Sequence, residues 1–559
     1  MDVDLHGVAG GLGFHDGSGV TEFSNVRAEM AATGHGAAAE GVRLAELLGA
    51  LSLATDLAHQ VPPETGLKDA LLSVAFARHL GLPSDQLSDV YYLALLYHLG
   101  CTAAAEEQGG VSAGDDGSVR RAFSEPDYLD KMQIFRLAIS DLANSLGPVD
   151  RVRALARFMT AGKRFMIDAS EAVCEAAARL AQRLGTGPNV SHALNEVFAR
   201  WDGKLFPTPP GDGVALIARL THLVHAAQIY AIRGGPALAA EVVRERRGGE
   251  FDPQLADTFI DVCPELFAGI SEGTVWEQAL DAEPEPHRLV PQARLDEITL
   301  AIADFTDVKS PFTLGHSRRV SWLAETAGAC LGLDADDLQL LRRCGHVHDL
   351  GNVSVPQRVW MKGGPLNRPE KEAVRLHAYH TERILSYSRS LQPLGALAGL
   401  HHERMDGSGY HRGASAASQP QTARVLSAAE VYEALQEDRS WRPALAPTKA
   451  ADQLKEQVAA GALDRAAAMA VLEAGGQPQP QRRVVWPSGL TDREVDVLRL
   501  LTTGRTNRAI AHALNVSDAT VHTHTINIYG KTGVHSRAGV ALYAIEHDLI
   551  PGPKDQPNG

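Results

Sequence analysis

The chain has 559 residues, 44% of them apolar and 22% charged, with a formal net charge of −15. That length suffices for roughly three or four domains, and that apolar share excludes wholesale disorder. The absence of any apolar run of about 18 residues excludes a transmembrane helix, and the acidic balance excludes broad coating of nucleic acid, so any DNA contact must be local.

The N-terminus has no basic region followed by an apolar one, so no secretory signal is expected. Residues 1–40 are rich in Gly, Ala and Ser without a sustained period, and read as a disordered segment. Residues 41–280 carry Ala- and Leu-rich runs at helical spacing. The passage Asp281-Ala282-Glu283-Pro284-Glu285-Pro286 reads as a linker, and a second helical stretch covers 290–475. Residues 476–488 form another Gly-, Pro- and Gln-rich linker, 489–550 a compact helical unit, and 551–559 a flexible tail. The five cysteines, Cys101, Cys174, Cys263, Cys330 and Cys344, are scattered and odd in number, as for reduced thiols of a cytoplasmic protein.

The two long helical stretches look like copies of one unit. Arg43-Leu44 matches Arg294-Leu295, Thr55-Asp56 matches Thr306-Asp307, and Leu80-Gly81-Leu82 matches Leu331-Gly332-Leu333. Leu99-Gly100 matches Leu350-Gly351 in the same gapless register. Further on, Trp201-Asp202-Gly203 echoes Met405-Asp406-Gly407. The copies differ at positions with lone pairs. Thr65 stands opposite His316, Tyr97-His98 opposite His348-Asp349, Val197-Phe198 opposite His401-His402, and His225 opposite Glu430. The first copy therefore cannot hold the same metal cluster, and pairing, packing or sensing is left to it.

The second copy contains His348-Asp349-Leu350-Gly351-Asn352. An imidazole beside a carboxylate can hold a divalent ion, and the Asp oxygens can bridge to a second. Upstream lies His316; downstream lie His377, His401-His402-Glu403 and Asp406-Gly407-Ser408-Gly409-Tyr410. This ordered series resembles the HD-GYP family of metal-dependent phosphohydrolases, whose fold is all-helical. The resemblance implies His316, His348, Asp349, His377, His401, His402 and Glu430 as metal ligands. It implies one or two divalent ions, and imidazole with carboxylate suits Fe, Mn or Zn. Ion pairs about 3.5–4 Å apart clamp a phosphate and acidify a bridging water. Asp349 and Asn352 are the expected catalytic residues, and Asp406, Gly407, Gly409 and Tyr410 the loop approaching a phosphate.

Three positions depart from the family pattern. Asn352 replaces a lysine, so a cation for substrate phosphate is missing there. Glu430 replaces an aspartate and moves its oxygens by about 1.5 Å, one C–C bond. His411 replaces the proline after the tyrosine. These departures favour a regulator whose domain senses a nucleotide or other small molecule, or cleaves it weakly. The alternative is an active phosphodiesterase acting on a nucleotide or cyclic dinucleotide.

In the last unit, Thr491 and Glu494 form a capping box, with Val495, Leu498 and Leu501 following at helical spacing. Asn507 to Leu514 is a second helix, Ser517 caps a third running to about Gly530, and Ser536 starts a fourth. A short helix, tight turn and second helix is the helix-turn-helix geometry. At Leu490-Thr491, Arg493-Glu494, Asn507, Ile510-Ala511 and Thr520-Val521 the unit resembles the LuxR-type DNA-binding domain. With Val521 and Ile528 inward, Thr520, His522, Thr523, Ile526, Asn527 and Lys531 are left for double-stranded DNA. Six basic and six acidic residues leave the unit neutral, so affinity leans on a homodimer, for which the apolar face of the fourth helix offers a surface. The expected architecture is all-α: two tandem HD-type helical domains, then a four-helix LuxR-type helix-turn-helix domain, with no membrane partner.

Overall fold

The computed structural model describes residues 41–103, 129–130, 133, 167–205, 208–476, 486–547 and 549–550. The segment 1–40, the tail 551–559 and most of the linker 476–488 lie outside the described residues. Among the described residues regular structure is helical apart from isolated bridges and one two-residue ribbon, so the all-α expectation holds. No described helix is long and apolar enough to cross a membrane.

The ribbon joins the starts of the two copies. Strand β1 (Val42–Arg43) pairs antiparallel with β2 (Leu289–Val290), Val42 opposite Val290. The first copy then runs through α1 (Leu44–His59), α2 (Thr65–His79), α3 (Ser84–Leu95), α4 (167–184) and α5 (Leu216–Arg246), the last broken at Gly234 and Gly235. The second runs through α6 (Gln292–Asp307), α7 (His316–Cys330), α8 (Ala335–Val347), a tight 3₁₀ turn over Leu350–Ser354, α9 (Arg368–Ser386) and α10 (Gln421–Leu435).

The same local constraints recur in both copies. Helices α2 and α7 are each 15 residues long. Each is followed, after one more residue, by a glycine at φ +73, Gly81 or Gly332, a conformation that only glycine adopts at no steric cost. In the first copy buried Asp56 accepts from the Gly66 N–H at 3.1 Å; in the second, Asp307 accepts from the Ser317 N–H at 2.9 Å. A Cβ on Gly100 would lie 1.8 Å from the Val173 carbonyl oxygen, and one on Gly351 2.1 Å from that of His377. Both turns thus press directly onto a later helix, α4 or α9.

One continuous apolar core runs through both copies. Helix α1 packs on the 3₁₀ turn Leu350–Ser354, and the Thr102 hydroxyl donates to the Phe305 carbonyl at 3.2 Å. The first copy therefore stands directly behind the turn that follows His348-Asp349.

The last unit consists of α11 (Asp492–Thr502), α12 (Asn507–Leu514), α13 (Asp518–Thr532) and α14 (Arg537–Glu546) around its own core of Val495, Leu498, Ile510, Val521, Ile528 and Val540. Thr491 accepts from the Glu494 N–H while Glu494 accepts from the Thr491 N–H, and Ser517 accepts from the Thr520 N–H. Helix α14 divides its faces. Val540, Tyr543 and Ala544 turn inward, whereas Ala538, Ala541, Leu542 and Ile545 join the core of the two copies. Burial there contributes about 1.5–3 kcal/mol for each of Leu542 and Ile545. Glu175 on α4 accepts from the His535 N–H at 3.0 Å and the Ser536 hydroxyl at 2.6 Å, a close approach that Gly539 permits. The fourth-helix surface expected to be free for a homodimer is therefore covered within the chain.

Candidate metal centre

Five elements of the second copy converge. His316 is the first residue of α7, His348-Asp349 follows α8, His377 comes from α9, His401-His402 from the turn after Gln392–Ala398, and Glu430 from α10. His316, His348, His377 and His401 are fully buried, and His402 is half-buried. Their ligand atoms fall into two groups, His316, His348 and Glu430 in one and Asp349, His377, His401 and His402 in the other.

Asp349 stands between the groups. Its Oδ1 lies 3.2 Å from His377 Nε2 and 3.5 Å from His401 Nε2; its Oδ2 lies 3.7 Å from both His316 Nε2 and His348 Nε2. Glu430 Oε2 is 2.9 Å from His316 Nε2 and 3.3 Å from His348 Nε2. The longer glutamate side chain thus reaches the histidines.

The outer atoms fix which nitrogen faces inward. His348 Nδ1 bonds the Gly345 carbonyl at 2.9 Å, His401 Nδ1 that of Ala398 at 2.6 Å, and His377 Nδ1 that of Val374. A carbonyl only accepts, so each Nδ1 carries the proton and each Nε2 keeps a lone pair. His377 Nε2 and His401 Nε2 then face each other at 3.0 Å. His348 Nε2 and Glu430 Oε2 are buried and, among the described residues, make no hydrogen bond of acceptable angle despite their proximity. Lone pairs aimed at common points, held from behind by backbone, fit a divalent ion in each group.

The electrostatics agree. Burial pushes the Asp349 and Glu430 carboxyls up, but the facing histidines outweigh it and hold both well below the usual range. Burial pushes His401 down to about 4 and His402 well below its ordinary value, so both offer neutral nitrogens. His316 and His348 run the other way: burial lowers both, but Glu437 and Glu430 raise His316 well above its ordinary value, and Asp349 and Glu430 raise His348.

Three contributors were given no role from sequence, although Glu403 lies within the motif itself. Glu437 accepts from His316 Nδ1 at 3.0 Å and pairs with Arg319, so it orients the ring from outside. Glu403, fully buried, accepts from the backbone N–H groups of Arg412, Gly413 and Ala414 and ties down the glycine-containing loop. Lys309, 3% exposed, lines a small cavity with Ser310, Asp349, Asn352 and Trp360, and its ammonium donates to the Val353 carbonyl. A cation thus stands beside Asn352 although position 352 has none. Lys309 lies upstream of His316, outside the motif spacing, so only the fold could reveal it.

The loop residues divide. Tyr410 stacks on His402 with ring centroids 4.7 Å apart. Gly409 has no room for a Cβ, which would meet the Glu403 Cα at 2.5 Å, and Gly407 takes φ +76. Asp406 is exposed and accepts from Ser408. On α13, His522, Thr523, Ile526 and Asn527 are exposed and Thr520 half-buried. Lys531 is engaged inside the unit, 2.7 Å from Glu494 and 3.0 Å from the Gly489 carbonyl.

Family profiles match both regions: residues 301–467 the HD domain, and residues 488–544 the bacterial regulatory proteins of the luxR family. The chain carries an HD domain followed by a luxR-family helix-turn-helix domain. It is similar to 3'3'-cGAMP-specific phosphodiesterase 3 of Vibrio cholerae serotype O1, 25% identical over 74% of this chain and 91% of the relative. It is also similar to 3'3'-cGAMP-specific phosphodiesterase 1 of the same organism, 32% identical over 30% of this chain and 39% of the relative. A cyclic di-GMP phosphodiesterase of Thermotoga maritima is 31% identical over 26% of this chain and 39% of its own length. The crystal structure of a cyclic GMP-AMP-specific phosphodiesterase of V. cholerae shares the fold, with a TM-score of 0.54 and 22% identity over 78% of this chain and 99% of that one.

Proposed function

We propose that the protein is a DNA-binding regulator whose HD domain holds two divalent ions and binds and cleaves the phosphodiester of a cyclic dinucleotide. The observation that carries this is Asp349, with one oxygen toward His377 and His401 and the other toward His316 and His348. In this reading His316, His348 and Glu430 would hold one ion and His377, His401 and His402 the other, with Asp349 available to both groups. Bound there, the ions supply Lewis-acid charge to a phosphodiester and make water a usable nucleophile at neutral pH. The protein's own residues do the rest. Lys309 sets a fixed positive charge beside Asp349 for a substrate phosphate. Asn352 offers a neutral amide whose oxygen is buried and, among the described residues, makes no hydrogen bond. The similarity to phosphodiesterases of cyclic dinucleotides supports the substrate class. Thr520, His522, Thr523, Ile526 and Asn527 supply the surface of α13 for the DNA groove. A homodimer on DNA would use another face of the chain or require α14 to leave α4.

A second reading, a sensor that binds the dinucleotide without turnover, is favoured by Asn352 in place of a lysine. Elemental analysis after anaerobic purification with Fe, Mn and Zn supplied, hydrolysis assays with 3'3'-cGAMP and cyclic di-GMP, and selection of bound genomic DNA test the proposal. Two ions per chain, turnover and enrichment of one sequence are expected. Binding without turnover selects the sensor, absence of metal rejects both readings of the HD domain, and failure to enrich any sequence rejects the DNA reader.

A further inference from the structure

We infer that the first copy has a metal site of its own, built from His59, His98 and Cys101, that takes one borderline-soft divalent cation such as Zn²⁺. The three side chains are buried, and their ligand atoms lie within 4.8 Å of one another. The rings of His59 and His98 have centroids 4.0 Å apart, and His98 Nδ1 is 3.9 Å from Cys101 Sγ. His59 Nδ1 bonds the Thr55 carbonyl at 2.9 Å, as His348 Nδ1 and His401 Nδ1 bond carbonyls in the second copy. A carbonyl only accepts, so Nδ1 is the donating nitrogen there and Nε2 is the ring nitrogen that would turn toward an ion.

The site occupies inherited ground with a different donor set. In the register that aligns the copies, His98 stands at the position of Asp349 and Cys101 at that of Asn352. The remaining ligand positions of the second copy are filled by Thr65, Tyr97, Val173, Val197, Phe198 and His225. Of these, His225 is bonded to Asp69 at 2.7 Å. One cluster of two imidazoles and a thiolate suits one ion, not two, and sulfur shifts the preference toward Zn²⁺ and away from Mn²⁺ or Mg²⁺. An ion there would tie the end of α1 to the turn after α3. That turn abuts α4 at Val173, two residues before Glu175, which accepts from the Ser536 hydroxyl at the start of α14.

Cobalt distinguishes this site from the HD centre, whose donors include no sulfur. The full chain, stripped with chelator and loaded with Co²⁺, is expected to show a thiolate-to-cobalt charge-transfer band in the near ultraviolet. Zn²⁺ should abolish it. Cys101→Ser should remove the band, whereas Asp349→Asn and Cys344→Ser should leave it. Should the Cys101 variant fail to fold by circular dichroism, His98→Gln assigns the band instead, by weakening or shifting it. No thiolate band in the loaded wild-type chain overturns the inference, as does a band unchanged in a folded Cys101→Ser or His98→Gln protein.

Discussion

Replacing Glu430 by aspartate restores the residue expected from the family pattern, yet the geometry predicts a loss. Glu430 Oε2 lies 2.9 Å from His316 Nε2 and 3.3 Å from His348 Nε2. Removing one methylene draws that oxygen back by about 1.5 Å, against a tolerance near 0.2 Å for metal–ligand distances. The rings cannot follow, because His316 is held by Glu437 at 3.0 Å and His348 by the Gly345 carbonyl at 2.9 Å. Changes to outer partners of metal ligands commonly cost about 10–100-fold in affinity, and losing a direct ligand should cost at least that. The group around His377, His401 and His402 is untouched. Graded dialysis against a chelator, with metal measured at each step, should show one ion leaving the Glu430→Asp protein early and the other leaving as in the wild type. A variant that keeps both ions as tightly as the wild type would refute the assignment of Glu430 as a ligand.

Lys309→Met should weaken binding of a cyclic dinucleotide by about 10–100-fold, one charge-assisted hydrogen bond, with metal content unchanged; calorimetry with equal affinity for both proteins would count against a phosphate role. On α13, Thr523→Ala or Asn527→Ala should relax sequence preference in selected DNA, whereas Lys531→Met should mainly lower thermal stability, because its ammonium is bonded to Glu494 and the Gly489 carbonyl; the reverse pattern would assign Lys531 to DNA. Burial pushes the Glu494 carboxyl up, but its bonds to Lys531 and Thr491 outweigh this and hold it below the ordinary glutamate value. A depressed folded value means the unfolded chain binds the proton first, so this stabilisation is complete above the ordinary value and is lost as pH falls through the depressed one. Melting of the helix-turn-helix unit followed from neutral to acid pH should show the loss, and Glu494→Gln should flatten it; an unflattened profile would assign the loss to other groups.

The sequence exposed the site through chemistry that needs particular atoms. His316, His348, Asp349, His377, His401, His402 and Glu430 stand out because no apolar side chain supplies their lone pairs, and the fold gathers all seven. The duplication was equally legible, because the turn glycines Gly81 and Gly332 and the paired aspartates Asp56 and Asp307 answer backbone needs that survive the loss of ligands. Supporting residues were not legible. Glu437 and Lys309 act across distances that only packing creates, and neither falls at a motif spacing. The face of α14 was misassigned for the opposite reason. An apolar stripe says that something covers it, but Leu542 and Ile545 carry no mark telling a second chain from an earlier part of their own.

That covered face gives the last prediction. Arg318 on α7, two residues after His316, binds Asp304 at 2.7 Å. Arg183 on α4 lies 2.5 Å from the same carboxylate and 3.8 Å from Glu546 on α14, while Arg179 lies 3.6 Å from Glu546. The helix that opens with a candidate metal ligand is thus two side chains away from the helix that anchors the DNA reader. Proximity alone is not coupling, which requires that both ends bias one equilibrium. The equilibrium offered is α14 docked on α4 against α14 released. If loading the HD domain shifts it, amide exchange in α14 should change on addition of Mn²⁺ by about 5–150-fold, the usual range of coupling between sites. Arg183→Met should remove the dependence while leaving metal content alone. Reciprocity then requires DNA to alter the affinity for Mn²⁺ by the same factor that Mn²⁺ alters the affinity for DNA. Exchange in α14 that ignores Mn²⁺, or a dependence that survives Arg183→Met, would show that the ion pairs hold the reader in place without informing it of the site.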